Sequence, residues 1–230
     1  MGTDRYRRLR ADYDGEGLDE SQCPDAPLTL VQEWLDDAVR RQAERGDAPE
    51  PMAMSVATVD ADGLPDVRTV LLRSLDERGP GFFTSTLSTK GRQLARNPGV
   101  AVCLAWPAMF RALRLRGYAE QLPDEEVLAY FRSRPWGARI GAHASAQSQP
   151  VPDRATLETA YQEMARRYPD TGSPDDVPVP EGWGGYRVVA DRVELWAGRP
   201  SRLHDRIVWE RVAPGGLDDP RAWRRTRLAP

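Results

Sequence analysis

Arg202, His204 and Arg206 recur at every second position in the stretch Gly198–Arg206, which reads G-R-P-S-R-L-H-D-R. Alternate residues of an extended backbone share one face. Three cationic or titratable groups on one face repel each other unless an anion lies against them. Two readings stand at this level: a solvated basic turn, or part of a surface for a phosphate or carboxylate. Other cations sit where an anion could use them. Arg68 lies within the apolar segment Val67–Leu72, and Arg73 ends it. Lys90, the only lysine of the chain, falls in the first turn after Ser88. A helix N-terminus disfavours a cation, but its free N–H groups and a lysine can hold one phosphate together. Arg134, with Arg202 and Arg206, could form a second anion site.

Other chemistries are poorly supplied. His143 and His204 are the only histidines, which excludes a multi-histidine metal site, and no metal is expected. No glycine-rich dinucleotide turn, phosphate-binding loop or nucleophile elbow is present. The 230 residues carry a formal charge of −3, which gives no reason to expect a nucleic-acid partner. Cys23 and Cys103 are far apart, and Cys103 lies in the apolar run Val100–Leu104, so it reads as a small core residue. The charged N-terminus leads into no apolar segment, so a soluble cytoplasmic protein with no membrane contact is expected.

The elements that must position these residues are mostly strands. Residues 1–27 read as a flexible polar arm, able to fold over a site as a lid, and residues 28–230 as one domain. Thr29 and Gln32 fit a capping box, and Val31, Trp34, Leu35 and Ala38 give the following helix one apolar stripe. Met54–Val59, Val67–Leu72 and Gly81–Thr84 read as three antiparallel strands joined by two hairpin turns, the first at Asp62-Gly63. Ser88 caps a short helix that ends before Asn97-Pro98. Val100–Trp106 and Arg111–Ala119 are further strands, the second with Leu113 and Leu115 on one face. A helix follows Pro123-Asp124, residues 133–150 read as an irregular loop, and Asp153 caps a helix to about Arg167. Strands resume at Gly184–Val189, Val193–Trp196, Ile207–Trp209 and Trp223–Arg227. The expected fold is mainly β with peripheral helices, around a small barrel.

In this order, several segments resemble the pyridoxine/pyridoxamine 5'-phosphate oxidase family: V-R-T-V-L-L-R at 67–73, Phe83-Thr84 with S-T-K-G at 88–91, and Y-F-R-S-R-P at 130–135. Ile140-Gly141-Ala142, Gln147-Ser148, W-G-G-Y at 183–186, E-L-W at 194–196, R-L-H-D-R at 202–206 and the terminal R-L-A-P complete the set. The resemblance spans about Arg10 to Pro230. It implies an FMN-binding split barrel, homodimeric, with flavin sites at the subunit interface. It implies oxidation of pyridoxamine and pyridoxine 5'-phosphate to pyridoxal 5'-phosphate, with hydride transfer to the flavin and reoxidation by O2. Implied flavin contacts are Arg68, Thr69, Val70, Leu71, Leu72, Arg73, Phe83, Thr84, Thr89, Lys90, Gln147, Ser148, Trp196 and Arg206, with Lys90 on the phosphate. Implied substrate contacts are Arg10 and Tyr13 from the arm, Arg73, Tyr130, Arg134 and Ala138, with Tyr130 and Arg134 on the substrate phosphate. Arg202 and His204 are the implied catalytic pair over the pyridine ring.

The chain departs from that family pattern at five places. Arg73 replaces a lysine, Thr89 an arginine on the flavin phosphate, Ala112 a glutamine on the flavin ring, Ala138 a serine on the substrate phosphate, and His143 a tryptophan. Two alternatives therefore stand beside the vitamin oxidase: an FMN oxidase of a phenazine-type pathway, and a non-catalytic flavin- or pyridoxal-phosphate-binding protein.

Overall fold

The computed structural model describes residues 12–230. Its strands are β1 (Ala53–Val59), β2 (Pro65–Leu71), β3 (Ser74–Asp76), β4 (Gly79–Ser85), β5 (Gly99–Trp106), β6 (Arg111–Gln121), β7 (Trp183–Ala197), β8 (Asp205–Arg211) and β9 (Trp223–Arg227). The helices are α1 (Leu28–Arg45), α2 (Thr89–Arg96), α3 (Asp124–Ser133), α4 (Trp136–Ala144) and α5 (Arg154–Arg167). All strand pairs are antiparallel, in the order β2-β1-β5-β6-β7-β4-β3, with β8 beside β7 and β9 beside β8.

The long strand β7 divides the sheet. One edge pairs with β6 along nearly its whole length. The other edge is shared: β4 takes Trp183–Arg187, and β8 takes Arg192–Ala197. The sheet thus curls into a split half-barrel. A register shift between Arg116 and Gly117 helps it bend. A Cβ on Gly117 would lie 2.0 Å from the Val189 carbonyl oxygen, so the close approach needs glycine.

Alternation fills the core. Leu113 and Leu115 are buried while Arg114 and Arg116 point outward, and Phe82, Leu104, Leu195, Ile207 and Trp209 are fully buried with them. Each such side chain contributes about 1.5–3 kcal/mol on leaving water. Helix α1 lays Val31, Trp34, Leu35 and Ala38 onto this core. A second cluster of Phe131, Ile140 and Val177 joins α3 and α4 to the chain before β7.

Five expectations change. Helix α1 starts at Leu28 behind Pro27 with no side-chain cap; the Leu28 N–H donates to the Leu217 carbonyl, 3.0 Å away, instead. The strands at 67–72 and 81–84 are not sheet neighbours, because β4 pairs with β3 and β7. Residues 133–150 are not all loop: Pro135 opens α4, whose burial of Arg139 and Ile140 outweighs its glycines. The two strands expected at 184–196 are one, β7. The segment 12–27 also differs from a free arm. Leu18 and Cys23 are buried. The Leu18 N–H donates to Asp205 Oδ2 at 2.9 Å, Arg227 donates to the Leu18 carbonyl at 2.9 Å, and Trp209 Nε1 donates to the Pro24 carbonyl at 3.0 Å. These contacts hold it against β8 and β9. Arg10 lies outside the described residues.

Candidate functional site

A cavity of about 650 Å³ is lined by Thr69, Val70, Leu71 and Arg73 from and beside β2, Phe83 and Thr84 from β4, and Lys90 from α2. Tyr130, Ser133, Arg134, Pro135, Ala138, Gln147 and Trp183 close it. Strand β2 is at the sheet edge, so one side of its backbone is free to meet a ligand. Three cations and no carboxylate line this space among the described residues.

Lys90 stands at the start of α2. Ser88 caps that helix by accepting the Gly91 N–H at 3.3 Å. A Cβ at Gly91 would sit 2.2 Å from the Thr86 carbonyl oxygen, so glycine lets the turn close. Lys90 Nζ donates to Gln147 Oε1 at 2.8 Å, Thr84 Oγ1 at 3.0 Å and Ser88 Oγ at 3.3 Å. All three partners are neutral. Burial pulls the ammonium down from 10.5 to about 8, and the field of Arg68 acts in the same direction. A buried cation with no counter-charge among the described residues, beside a helix N-terminus, is suited to an anion.

A second cationic group lines the same cavity. Arg134 lies over the Trp183 ring at 4.4 Å, and its buried Nη1 has no hydrogen-bond partner among the described residues. Burial lowers the guanidinium from its ordinary value; Tyr130 opposes this and Arg73 adds to it. Tyr130 stacks on Phe83 with centroids 3.8 Å apart and planes at 11°. Trp183 and Ser88 belong to the site although neither is expected from the sequence as a ligand contact, Ser88 being expected only as a helix cap. The W-G-G-Y motif and the cap position were the available signals.

Several expected contacts lie elsewhere. Arg68 does not line the cavity; it donates to the Val56 carbonyl, Thr58 Oγ1, Asp66 Oδ2 and Gln93 Oε1, at 3.1, 2.6, 2.5 and 3.0 Å. Leu72 points into the core. Thr89 meets Arg92 at 3.4 Å, and Ser148 sits in a left-handed turn, φ 70°; neither lines the cavity. His143 donates from Nε2 to the Pro178 carbonyl at 2.7 Å and lies beside Tyr168, which is a clasp between α4 and the following connection.

Trp196, Arg202, His204 and Arg206 gather at the other end of β7. Trp196 pairs in register with Ala112 and Arg206. Arg206 donates to buried Glu194 at 2.9 Å. His204 packs on Trp196 at 4.7 Å and on Tyr13 at 5.3 Å, while Arg202 is exposed in the preceding turn. Phe83 and Thr84 pair with Gly185 and Gly184 at the start of the same strand. From Gly184 to Trp196 the strand runs about 40 Å at 3.3 Å per residue. The two groups of residues are thus apart within one chain, and none of these four residues lines the cavity.

The residues fit FMN. Lys90 with the first turn of α2 matches its phosphate, and the β2 edge offers backbone groups to its ring. Fold and cavity together define a split-barrel protein built to hold phosphorylated ligands against a sheet edge.

Residues 37–168 match the family model described as pyridoxamine 5'-phosphate oxidase, and residues 183–230 that of the pyridoxine 5'-phosphate oxidase C-terminal dimerisation region. The chain belongs to the pyridoxamine 5'-phosphate oxidase family. It is 46% identical over 228 residues to the pyridoxine/pyridoxamine 5'-phosphate oxidase of Pseudomonas paraeruginosa, covering 99% of this chain and 100% of that one. It is 47% identical to that of Kineococcus radiotolerans, covering 96% and 97%. Among solved structures, PhzG from Burkholderia lata, in complex with tetrahydrophenazine-1-carboxylic acid, aligns with a TM-score of 0.81 at 28% identity, covering 96% and 100%. Among the described residues no helix is long and apolar enough to cross a membrane.

Proposed function

We propose that this chain is an FMN-dependent oxidase that converts pyridoxamine and pyridoxine 5'-phosphate to pyridoxal 5'-phosphate. The observation that carries the reading is one cavity lined, among the described residues, by Lys90, Arg73 and Arg134 and by no carboxylate. Such a space suits two phosphorylated molecules at once. The near-full-length identity to oxidases with this activity supports the same substrate class.

When bound, FMN supplies the two-electron acceptor for oxidation at the substrate C4' carbon, with O2 as terminal acceptor and hydrogen peroxide as product. The chain's own residues bind and orient. Lys90 holds the flavin phosphate, with Thr84 and Gln147 aligning its ammonium. Arg134 and Tyr130 hold the substrate phosphate, and Arg73 adds charge beside them. That remote grip orients the reacting carbon. Ala138 offers no hydroxyl there, so the grip falls on these three side chains.

The active form is a homodimer in which each site takes Lys90 and Arg134 from one subunit and Trp196, Arg202, His204 and Arg206 from the other. The separation of the two half-sites along β7 supports this arrangement. Arg206, oriented by Glu194, faces the flavin; Arg202 and His204 face the substrate. Tyr13 packs on His204 and continues the substrate wall.

Anaerobic addition of pyridoxamine or pyridoxine 5'-phosphate to the FMN-loaded protein tests the reading. Bleaching of the flavin absorbance is expected. A spectrum that neither compound changes refutes it and favours another substrate, such as a phenazine precursor.

A further inference from the structure

His204 is the one histidine in the half-site at the end of β7, and its two ring nitrogens are not equivalent. The backbone N–H of Arg199 points at Nδ1 from 3.1 Å. An amide N–H can only donate, so Nδ1 carries a lone pair there and no proton. In the neutral ring the proton is then on Nε2. The surroundings keep the ring in this setting. Trp196 and Tyr13 pack against it at 4.7 and 5.3 Å. The donor amide is itself held: the Arg199 side chain donates to Asp205 Oδ2 at 2.9 Å. Ser201 and Arg202 turn the loop back with φ of 58° and 63°, a left-handed conformation that is unfavourable for non-glycine residues.

We infer that His204 is a fixed hydrogen-bond donor, set by the main chain of Arg199, and not a proton acceptor. Nε2–H is presented to a lone pair of the substrate, and neither ring nitrogen has a free lone pair. The inference rests on the oxidase reading for the identity of that substrate. The proton that leaves the substrate oxygen or nitrogen as C4' is oxidised passes to water. His204 is the group that touches substrate, and the Arg199 amide is a positioning group.

Labelling the histidines with 15N tests this in the flavin-free protein. Only two rings contribute, and His204→Gln assigns them by difference. At a pH where both rings are neutral, the His204 signal is expected to show the attached proton on Nε2 and the unprotonated resonance on Nδ1. A proton on Nδ1, or averaging between the two tautomers, overturns the inference. A second arm uses the FMN-loaded enzyme. His204→Gln places an N–H near the Nε2 position, whereas His204→Asn reaches only the Nδ1 position. Anaerobic flavin reduction is expected to be about tenfold faster in the glutamine variant, the worth of one hydrogen bond to a polar substrate, with the native shape of the pH profile retained. Equal loss in both variants, with one limb of the profile missing, identifies a base and overturns the inference. If native enzyme is reduced by neither B6 phosphate, the substrate reading fails while the 15N result still decides the tautomer.

Discussion

Replacing Lys90 by methionine keeps the aliphatic stem and removes the charge. In the flavin-free protein that charge is buried, only 7% exposed, among neutral oxygens. Its fall from 10.5 to about 8 corresponds to roughly 3 kcal/mol of native-state penalty at 1.36 kcal/mol per pH unit. The sign follows from linkage. Below about pH 8 the folded protein carries a buried ammonium that the unfolded chain carries in water, so the penalty is complete. It fades as pH rises from about 8 to 10.5 and the folded state releases the proton first. Methionine leaves no partner stranded: Thr84 still donates to Gln147, and Ser88 still bonds Ser85 and Gly91. Three lost hydrogen bonds at about 0.5 kcal/mol each offset about half of this, so Lys90→Met should stabilise the flavin-free protein by about 1.5 kcal/mol at neutral pH, or about 3–6 °C in Tm for a chain of this size. FMN binding should move the other way. Losing a charge-assisted contact to a phosphate is worth about 1.5–3 kcal/mol, a 10- to 150-fold rise in Kd. Native affinity should fall about tenfold per pH unit above 8 until it reaches that of the variant, because the phosphate prefers the protonated lysine and is already fully ionised there. The variant should show no such slope. Thermal denaturation of flavin-free protein and FMN fluorescence titration at several pH values measure both effects. A variant that loses stability without FMN yet binds it with native affinity refutes the reasoning.

Arg134→Met should raise KM for the phosphorylated substrate and lower kcat/KM about 10- to 100-fold, the range for one charge-assisted hydrogen bond, with FMN Kd nearly unchanged; steady-state kinetics beside a flavin titration check it, and equal loss of flavin would reassign Arg134. Gly91→Ala should destabilise the protein by 2 kcal/mol or more (about that size for a forced backbone shift), because the new methyl meets the Thr86 carbonyl; chemical denaturation measures it. Mixing Lys90→Met subunits with Arg202→Ala subunits should restore activity that neither has alone. Random exchange leaves about a quarter of the sites with both halves native in a two-fold dimer, and no recovery after verified exchange would refute sites shared between subunits.

Much of this molecule was legible in the chain. Alternation in Arg111–Ala119 placed Leu113 and Leu115 inside, and Ser88 and Asp153 marked two helix starts through side-chain caps that the structure contains. These signals are local, since a strand's period and a cap's hydrogen bond each involve neighbours in sequence. The cations Arg73, Lys90 and Arg134 were legible as candidates for the same reason: their positions beside strand ends and a helix start are sequence features. Their convergence was not. That Lys90 meets Gln147 across 57 positions, and that the cavity contains both, depends on how β4, α2 and the turn after α4 come together.

Arg68 marks the limit most clearly. Its position in the strand pattern suggested a ligand contact, and in the fold Thr58, Asp66 and Gln93 accept hydrogen bonds from its guanidinium. Helix α4 was hidden because glycines at 137 and 141 mask its propensity, and only burial against Phe131 and Val177 makes it stable. Residue types and their order determined the family, the strand-rich class and which side chains can grip an anion. Only the tertiary structure decided that the basic triplet at 202–206 and Lys90 stand at opposite ends of one strand. Rise per residue is fixed by backbone geometry, so a 15-residue β7 keeps these two groups of one chain apart whatever their side chains prefer.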